Sequence, residues 1–316
     1  MIEYRAFKNY DPPQIAEVWE SSQLGRGAIG GMTSDILECF VFSQPYFDKN
    51  GLMVACDGNR MVGFVHAGFG ANEERSQLEK RVGVICAVMV LPEYRRKGIG
   101  RELVKRAEDY LRHAGSVEIF AGPIHPFDPF YLGVYGGCQS AGFLASDENA
   151  EPFLHSLRYE AVRHQAITQR DLNSHSDPMS IRLMGVRRKL QMQLVEEEPV
   201  PNWWWQTRNG RLDTIRFELV PKRGGESVAA VSIVGLDFYL PKWQTRAVGL
   251  FNLEVFDLER RKGYGEALVL DVCRRLREER VMLVEAHIPQ GEEATLNLFQ
   301  KCGFEVMDRG MVYQKR

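Results

Sequence analysis

Apolar positions along the chain follow two rhythms, and the pair of rhythms occurs twice. Cys86, Val88 and Val90 alternate with their neighbours at the period of a strand, and Leu103, Val104, Ala107 and Leu111 recur at the spacing of one helix face. The same two patterns return 165 residues later, in Phe251, Leu253 and Val255 and then in Leu268, Val269, Val272 and Leu276. Between strand and helix stand Arg95-Arg96-Lys97-Gly98-Ile99-Gly100-Arg101-Glu102-Leu103-Val104 and Arg260-Arg261-Lys262-Gly263-Tyr264-Gly265-Glu266-Ala267-Leu268-Val269, identical at seven of ten positions. After each helix a further apolar run, 117–121 and 281–286, predicts a strand, so each half contains a βαβ element. Hairpins are predicted upstream, 51–55 with 61–68 around Asp57-Gly58-Asn59, and 213–220 with 227–234 around Gly224-Gly225. Asp11 before Pro12-Pro13 predicts a helix start leading into Ile15–Trp19, with Asp11 as cap. The polar stretch from Gln169 to Pro178 breaks the periodicity and predicts a boundary, giving domains 1–170 and 171–316.

A length of 316 residues fits two domains, each large enough for its own core. Forty Lys plus Arg against 42 Asp plus Glu leave a net charge of −2, so no basic field draws the chain to nucleic acid or to an anionic membrane. The charged start Met1-Ile2-Glu3-Tyr4-Arg5 and the lack of any apolar run of about 18 residues predict neither export nor membrane spanning. Six scattered cysteines, with no Cys-x-x-Cys and no Cys/His set at zinc spacing, read as reduced thiols, which predicts a cytoplasmic protein without a metal site.

A glycine loop that opens a helix offers unpaired N–H groups and the positive end of the helix dipole, and is suited to phosphate. Arg95, Arg96 and Lys97, repeated as Arg260, Arg261 and Lys262, add charge. A solvated helix start is the plainer reading of one copy, but it does not require Arg-Arg-Lys at the same places twice. A Walker loop fails, because Gly100 and Gly265 are not followed by Lys-Ser/Thr. A dinucleotide fingerprint fits poorly, with Leu103 and Leu268 at its third small position, although Glu118 and Glu285 lie near the spacing of a ribose carboxylate.

The run from Val88 to Gly100, with Val90-Leu91-Pro92 ahead of Arg95-Arg96-Lys97-Gly98-Ile99-Gly100, resembles motif A of the GNAT acyltransferase superfamily. The second copy keeps the loop and has Asp257 where the proline stands. Leu298-Phe299-Gln300-Lys301-Cys302-Gly303-Phe304 is similar to the family's closing pattern of a helix followed by Gly-Phe, and Cys138-Gln139-Ser140-Ala141-Gly142-Phe143 is a looser version. The resemblance implies an α/β (mixed α+β) fold of two tandem GNAT-like domains, each a central mixed, mostly antiparallel sheet flanked by helices. It implies acetyl-CoA as co-substrate, held by Val88, Met89, Val90, Arg95, Arg96, Lys97, Gly98, Ile99, Gly100 and Arg101. In the second half Leu253, Val255, Arg260, Arg261, Lys262, Gly263, Tyr264 and Gly265 take the same part. It further implies N-acetyl transfer to a primary amine of a small molecule, by direct attack within a ternary complex.

The pattern breaks at the acid. The family's tyrosine, four residues before the closing glycine, is replaced by Phe299 in the second half and by Cys138 when counted from Gly142. The glycine- and aromatic-rich segment 122–142 supplies Tyr131, Tyr135 and His125 as candidate proton donors, with core packing as the alternative. Glu254, Glu285 and His287 are candidate bases for the second half. Trp203-Trp204-Trp205 reads as a core or seam element, and Arg187-Arg188-Lys189 and Arg274-Arg275 as solvated faces. Two alternatives stay open: a catalytically degenerate acyl-CoA-binding or scaffold protein, and one active domain beside a binding-only one. The sequence also leaves a homodimer open.

Overall fold

The computed structural model describes residues 1–173, 177–178, 181–195, 202–210 and 212–316. Ser174, His175 and Ser176, in the polar stretch singled out above, lie outside the described residues. Contacts divide the chain into two compact units, the first made of Met1–His164, Asn202–Arg211 and Gly310–Arg316, the second of Gln165–Pro201 and Leu212–Arg309.

The first unit runs β1 (Ile2–Ala6), α1 (Pro12–Ser21), α2 (Ser34–Leu37), β2 (Leu52–Asp57), β3 (Arg60–Ala71), β4 (Leu78–Val90), α3 (Ile99–His113), β5 (Glu118–Ala121), β6 (Phe143–Leu144), α4 (Ala150–Ser156) and the start of β7 (Tyr159–Asp171). Strands β1 to β4 are neighbours in antiparallel order, and β5 adds parallel to β4. The chain's last residues close the sheet, Tyr313 opposite Ala121 and Gln314 opposite Phe120. The β2–β3 hairpin turns on Gly58 and Asn59, with Gly58 at φ +59. Leu103, Val104, Ala107 and Leu111 form the buried stripe of α3, and Tyr110 meets the ring of Phe69, so α3 covers the odd-numbered face of β3. Asp11 stands at the cap position of α1 without capping it; its carboxylate takes two bonds from Arg5, at 2.7 and 2.8 Å, and one from the Lys8 N–H. A charged partner and a nearer amide outcompete the helix N–H groups.

The second unit repeats the plan with α5 (Ile181–Lys189), β8 (Leu190–Val195), β9 (Thr214–Pro221), β10 (Ala229–Gly235), α7 (Leu240–Trp243), β11 (Ala247–Val255), α8 (Tyr264–Glu278), β12 (Leu283–Pro289), α9 (Glu293–Lys301) and the first part of β13 (Glu305–Lys315). The helix α6 (Trp203–Asn209), which falls between β8 and β9 in sequence, belongs to the first unit. Strands β8 to β11 are antiparallel neighbours, β12 lies parallel to β11, and Gln165–Asp171 of β7 close the sheet against β12. Leu268, Val269, Val272 and Leu276 of α8 pack on Val248, Leu250, Val284 and Ala286. Each unit is the mixed, mostly antiparallel sheet with flanking helices that the sequence implied. No described helix is long and apolar enough to cross a membrane.

Candidate functional site

In the first unit β4 and β5 pair only from Val82–Glu118 to Ile85–Ala121, although β4 continues to Val90. Just past that point the register against β3 slips. His66 opposes Ala87 and Ala67 opposes Ile85, which leaves Cys86 as an extra residue in a β-bulge. The bulge bends β4 away from β5, and Val88, Met89 and Val90 border an opening instead of a neighbouring strand. The second unit does the same. Pairing of β11 with β12 stops at Leu250–Ala286, and the register against β10 slips between Ser232–Phe251 and Ala230–Glu254, with Asn252 at φ +52.

The loops beyond share one backbone path. A 3-10 turn, Pro92–Tyr94 or Asp257–Glu259, is followed by an extended arginine, Arg95 or Arg260. Arg96 and Arg261 then adopt φ +61 and +64, and Gly98 and Gly263 adopt φ +82 and +87 ahead of α3 and α8. Only glycine takes this left-handed turn without strain, and no side chain caps either helix, so the first-turn N–H groups stay open to an anion. Arg95 is committed elsewhere, donating to the carbonyls of Val90 at 3.0 Å and Ser22 at 2.7 Å. Arg260 likewise donates to the Val255 carbonyl at 3.2 Å and pairs with Asp257 at 2.9 Å.

The surroundings of the loops differ. A Cβ on Gly98 would have no atom within 4 Å, whereas one on Gly263 would lie 2.7 Å from Nε of Arg182. That guanidinium, on α5, donates to the carbonyls of Lys262 and Arg261 and lies over the second loop. Lys262 is paired with Glu259 at 2.8 Å, while among the described residues neither Arg96 nor Lys97 pairs with a carboxylate.

The first loop opens into a cavity of about 460 Å³. Eight of the ten residues singled out in the first half line it: Val88, Met89, Val90, Arg95, Arg96, Gly98, Gly100 and Arg101. Ile99 is buried under the loop, and the Lys97 ammonium lies 4.9 Å from the Tyr94 ring centroid. The far wall is α4, which the sequence reading missed; its Phe153 ring lies 3.1 Å from where a Cβ on Gly100 would stand. In the second unit Gly265 meets Leu298 of α9 in the same way, at 2.9 Å. The two closing helices therefore correspond, and so do the turns after them, Arg158 at φ +65 and Gly303 at φ +85. The looser Gly142-Phe143 match is not the closing helix; residues 138–142 form no helix, and Phe143–Leu144 is the short strand β6.

The glycine loops before α3 and α8, and the helix α9 ahead of Gly303-Phe304, stand where the sequence resemblance placed motif A and the closing pattern. The chain matches the acetyltransferase (GNAT) family at residues 29–129 and again at 186–304. It belongs to that family. The protein is an acetyltransferase with two GNAT units in tandem. No curated protein matches it in sequence. Among solved structures it resembles a GCN5-related N-acetyltransferase from Sphaerobacter thermophilus, at 14% identity and TM-score 0.62 over 99% of this chain and 95% of that one. A tandem GNAT protein from the clavulanic acid biosynthesis pathway aligns at 14% identity and TM-score 0.65, over 99% and 98%. A glucosamine N-acetyltransferase region of a fungal multi-domain β-N-acetylglucosaminidase aligns at 16% and 0.72, over 99% of this chain and 38% of that one.

In this GNAT chain the place four residues before the closing turn holds Leu154 in the first unit and Phe299 in the second, and neither can donate a proton. Tyr131 and Tyr135 do not line the cavity. Tyr131 is buried at φ +68, with its hydroxyl 3.0 Å from Nδ1 of His66, and burial pushes its pKa well above the phenol range. His66 is wholly buried against Phe130 and stays neutral, its pKa lowered to about 3 by desolvation. The Tyr135 hydroxyl accepts from the Leu144 N–H at 3.2 Å. His125 is exposed and does not line the cavity. In the second unit Glu285 and His287 lie together on the face of β12 away from α8, 3.2 Å apart, and Glu285 accepts from Gln169 at 2.7 Å. Glu254 is exposed on β11. Trp204 is buried against Tyr46, and Glu118 is an exposed partner of Gln314.

Proposed function

We propose that the first unit binds acetyl-CoA along the cavity between β4 and α4 and transfers the acetyl group to a primary amine of a small molecule. One observation supports this reading above the others: the bulge at Cys86 opens β4 onto a cavity whose floor is the uncapped start of α3. N–H groups of 98–101, with Arg96, Lys97 and Arg101, suit the pyrophosphate. Backbone groups of Val88–Val90 suit the pantetheine arm and polarise the thioester carbonyl. The amine nitrogen forms a bond to the acetyl carbon as the carbon–sulfur bond breaks; the ammonium proton leaves to a base through water, and the thiolate takes one up. Tyr131, whose hydroxyl meets His66 behind the bulge, and Tyr135 are the acids of this reading; since neither lines the cavity, the proton reaches the thiolate through water. Glu254 and Glu285, the latter with His287, are the bases that a transfer in the second unit would use.

The second unit is read as the supporting half. Arg182 is the observation that favours this, since its guanidinium lies against Gly263 and is tied to the carbonyls of the loop, where the first loop has open space. Calorimetry with acetyl-CoA tests both statements. One site is expected, lost in Gly98→Glu and kept in Gly263→Glu, together with thiol release when amines are added. No binding by the intact chain would sink the acetyl-CoA reading.

A further inference from the structure

The face of β3 opposite α3 carries His66, Gly68 and Gly70, and the segment 126–131 lies flat on it. A Cβ on Gly68 would meet the Phe130 ring at 2.6 Å, and one on Gly70 the Phe127 backbone at 2.6 Å. This packing buries Asp128 to 1% exposure behind the bulged stretch of β4. The carboxylate is close enough to Cys86 that, after burial, it is the next cause pushing that thiol upward.

Arg208 of α6 supplies the countercharge. Its guanidinium is paired with Oδ2 of Asp128, its Nε donates to the Asp128 carbonyl at 3.1 Å, and it lies 5.9 Å from the Trp204 ring centroid. Oδ1 of Asp128 is buried with no hydrogen-bond partner among the described residues, with Nδ1 of His125 at 4.0 Å. Nε2 of His66, on the same side, is also without one. Buried carboxylates ordinarily use their lone pairs. One with an unused oxygen, near the Tyr46 hydroxyl and already holding a guanidinium that lies over the Trp204 ring, has the chemistry of a cation site.

We propose that Asp128 recognises a cationic group of the acceptor, a guanidinium or ammonium distinct from the amine that is acetylated, and that Arg208 occupies this place until such an acceptor enters. The proposal rests on the reading of the first unit as the transferring one. It makes the acceptor a dication with one end held at Asp128 and the other directed to the bulge. The resident arginine lowers the apparent affinity for that acceptor by the fraction of molecules in which it stays bound.

The test compares agmatine, a primary amine with a guanidinium, with butylamine, which lacks the second charge, in thiol release from acetyl-CoA by the full chain. Wild type is expected to prefer agmatine. Arg208→Ala should raise kcat/KM for agmatine at least about tenfold and leave butylamine unchanged, and Asp128→Asn should abolish the preference. Equal use of both amines in every form, or a preference that survives Asp128→Asn, overturns the proposal. Methylguanidinium binding provides a readout that needs no turnover. Arg208→Ala should bind it one to one, with tetramethylammonium as the control, and the double variant with Asp128→Asn should not; absence of binding also overturns the proposal. If Arg208→Ala does not fold, Arg208→Gln removes the competing charge while filling much of the same space, and should bind methylguanidinium one to one. Failure of wild type to bind acetyl-CoA counts against the transferase reading alone.

Discussion

Gly98→Glu separates the two loops most directly. Gly98 lies at φ +82 with open space around its missing Cβ, so the substitution meets no atom and costs only the left-handed conformation, about 1–2 kcal/mol. That lowers the melting temperature by a few degrees and leaves the first unit folded. The effect on binding is larger. A carboxylate about 6 Å from one phosphate charge, at an effective dielectric of about 20, opposes it by about 3 kcal/mol, which solvent and salt at this exposed loop reduce to about 1.5. Acetyl-CoA affinity should therefore fall by about 10- to 100-fold. Gly98→Ala, with the same backbone cost and no charge, is the control and should lose no more than about tenfold. At Gly263 the new carboxylate would instead stand beside the Arg182 guanidinium and pair with it, leaving binding at the first loop untouched. Calorimetric titration of the four proteins at one salt concentration reads all of this. A Gly98→Glu protein that melts near wild type and binds acetyl-CoA as tightly would refute the assignment of the pyrophosphate to this loop.

Tyr131→Phe is expected to lower turnover about a hundredfold with acetyl-CoA affinity unchanged; steady-state kinetics with wild-type rates would remove Tyr131 as the acid. Arg182→Ala uncovers the second loop, so the calorimetric stoichiometry should move from one site towards two, the second weaker. Gly142→Ala would place a Cβ 2.2 Å from the Met311 carbonyl at φ +72 and should cost about 3 kcal/mol or more in denaturant unfolding of the first unit. Burial lowers His66 from 6.5 to about 3, so the folded chain binds fewer protons than the unfolded one between those values. Its contribution is complete above pH 6.5 and falls as pH drops through that window, by about 2 kcal/mol at pH 5. Urea midpoints from pH 7 to 5 should slope accordingly and flatten in His66→Gln.

Both glycine loops were legible because backbone conformation demanded them: a left-handed turn before a helix leaves glycine in the sequence, and a strand and an amphipathic face bracket it on either side. The closing helix of the first unit was not. Arg158 takes the left-handed place that Gly303 holds in the second unit, so the Gly-Phe signature is absent there and stands instead at Gly142-Phe143, ahead of the closing helix. The cap at Asp11 failed for a related reason, since sequence position cannot show that Arg5 and the Lys8 amide claim the carboxylate first. Membership of Gly310–Arg316 and of α6 in the first unit depends on pairings and ring contacts between residues far apart in the chain. No local period encodes those.

The two units keep one backbone and diverge in what surrounds it. The repeat offset is 165 residues at the loops and 145 at the closing turns, Arg158 against Gly303, so the first unit carries twenty residues more between them. The glycine- and aromatic-rich segment 122–142 lies within that interval, and it lays Asp128, Phe130 and Tyr131 against the face of β3 that bears His66. An insertion there cannot disturb the loop, because α3 and the bulge form from residues before it. It can change the chemistry on the other side of β4, where a buried carboxylate, a neutral imidazole and a phenol now stand together. With Leu154 in the place of the family's acid, the first unit lacks that proton donor but has acquired polar groups beside the bulge. The second unit has the opposite endowment: a Glu285–His287 pair on β12, and an arginine over its phosphate loop. On the proposed reading, transfer requires an open phosphate loop and polar groups beside the bulge in the same unit, and that reading therefore falls on the first unit.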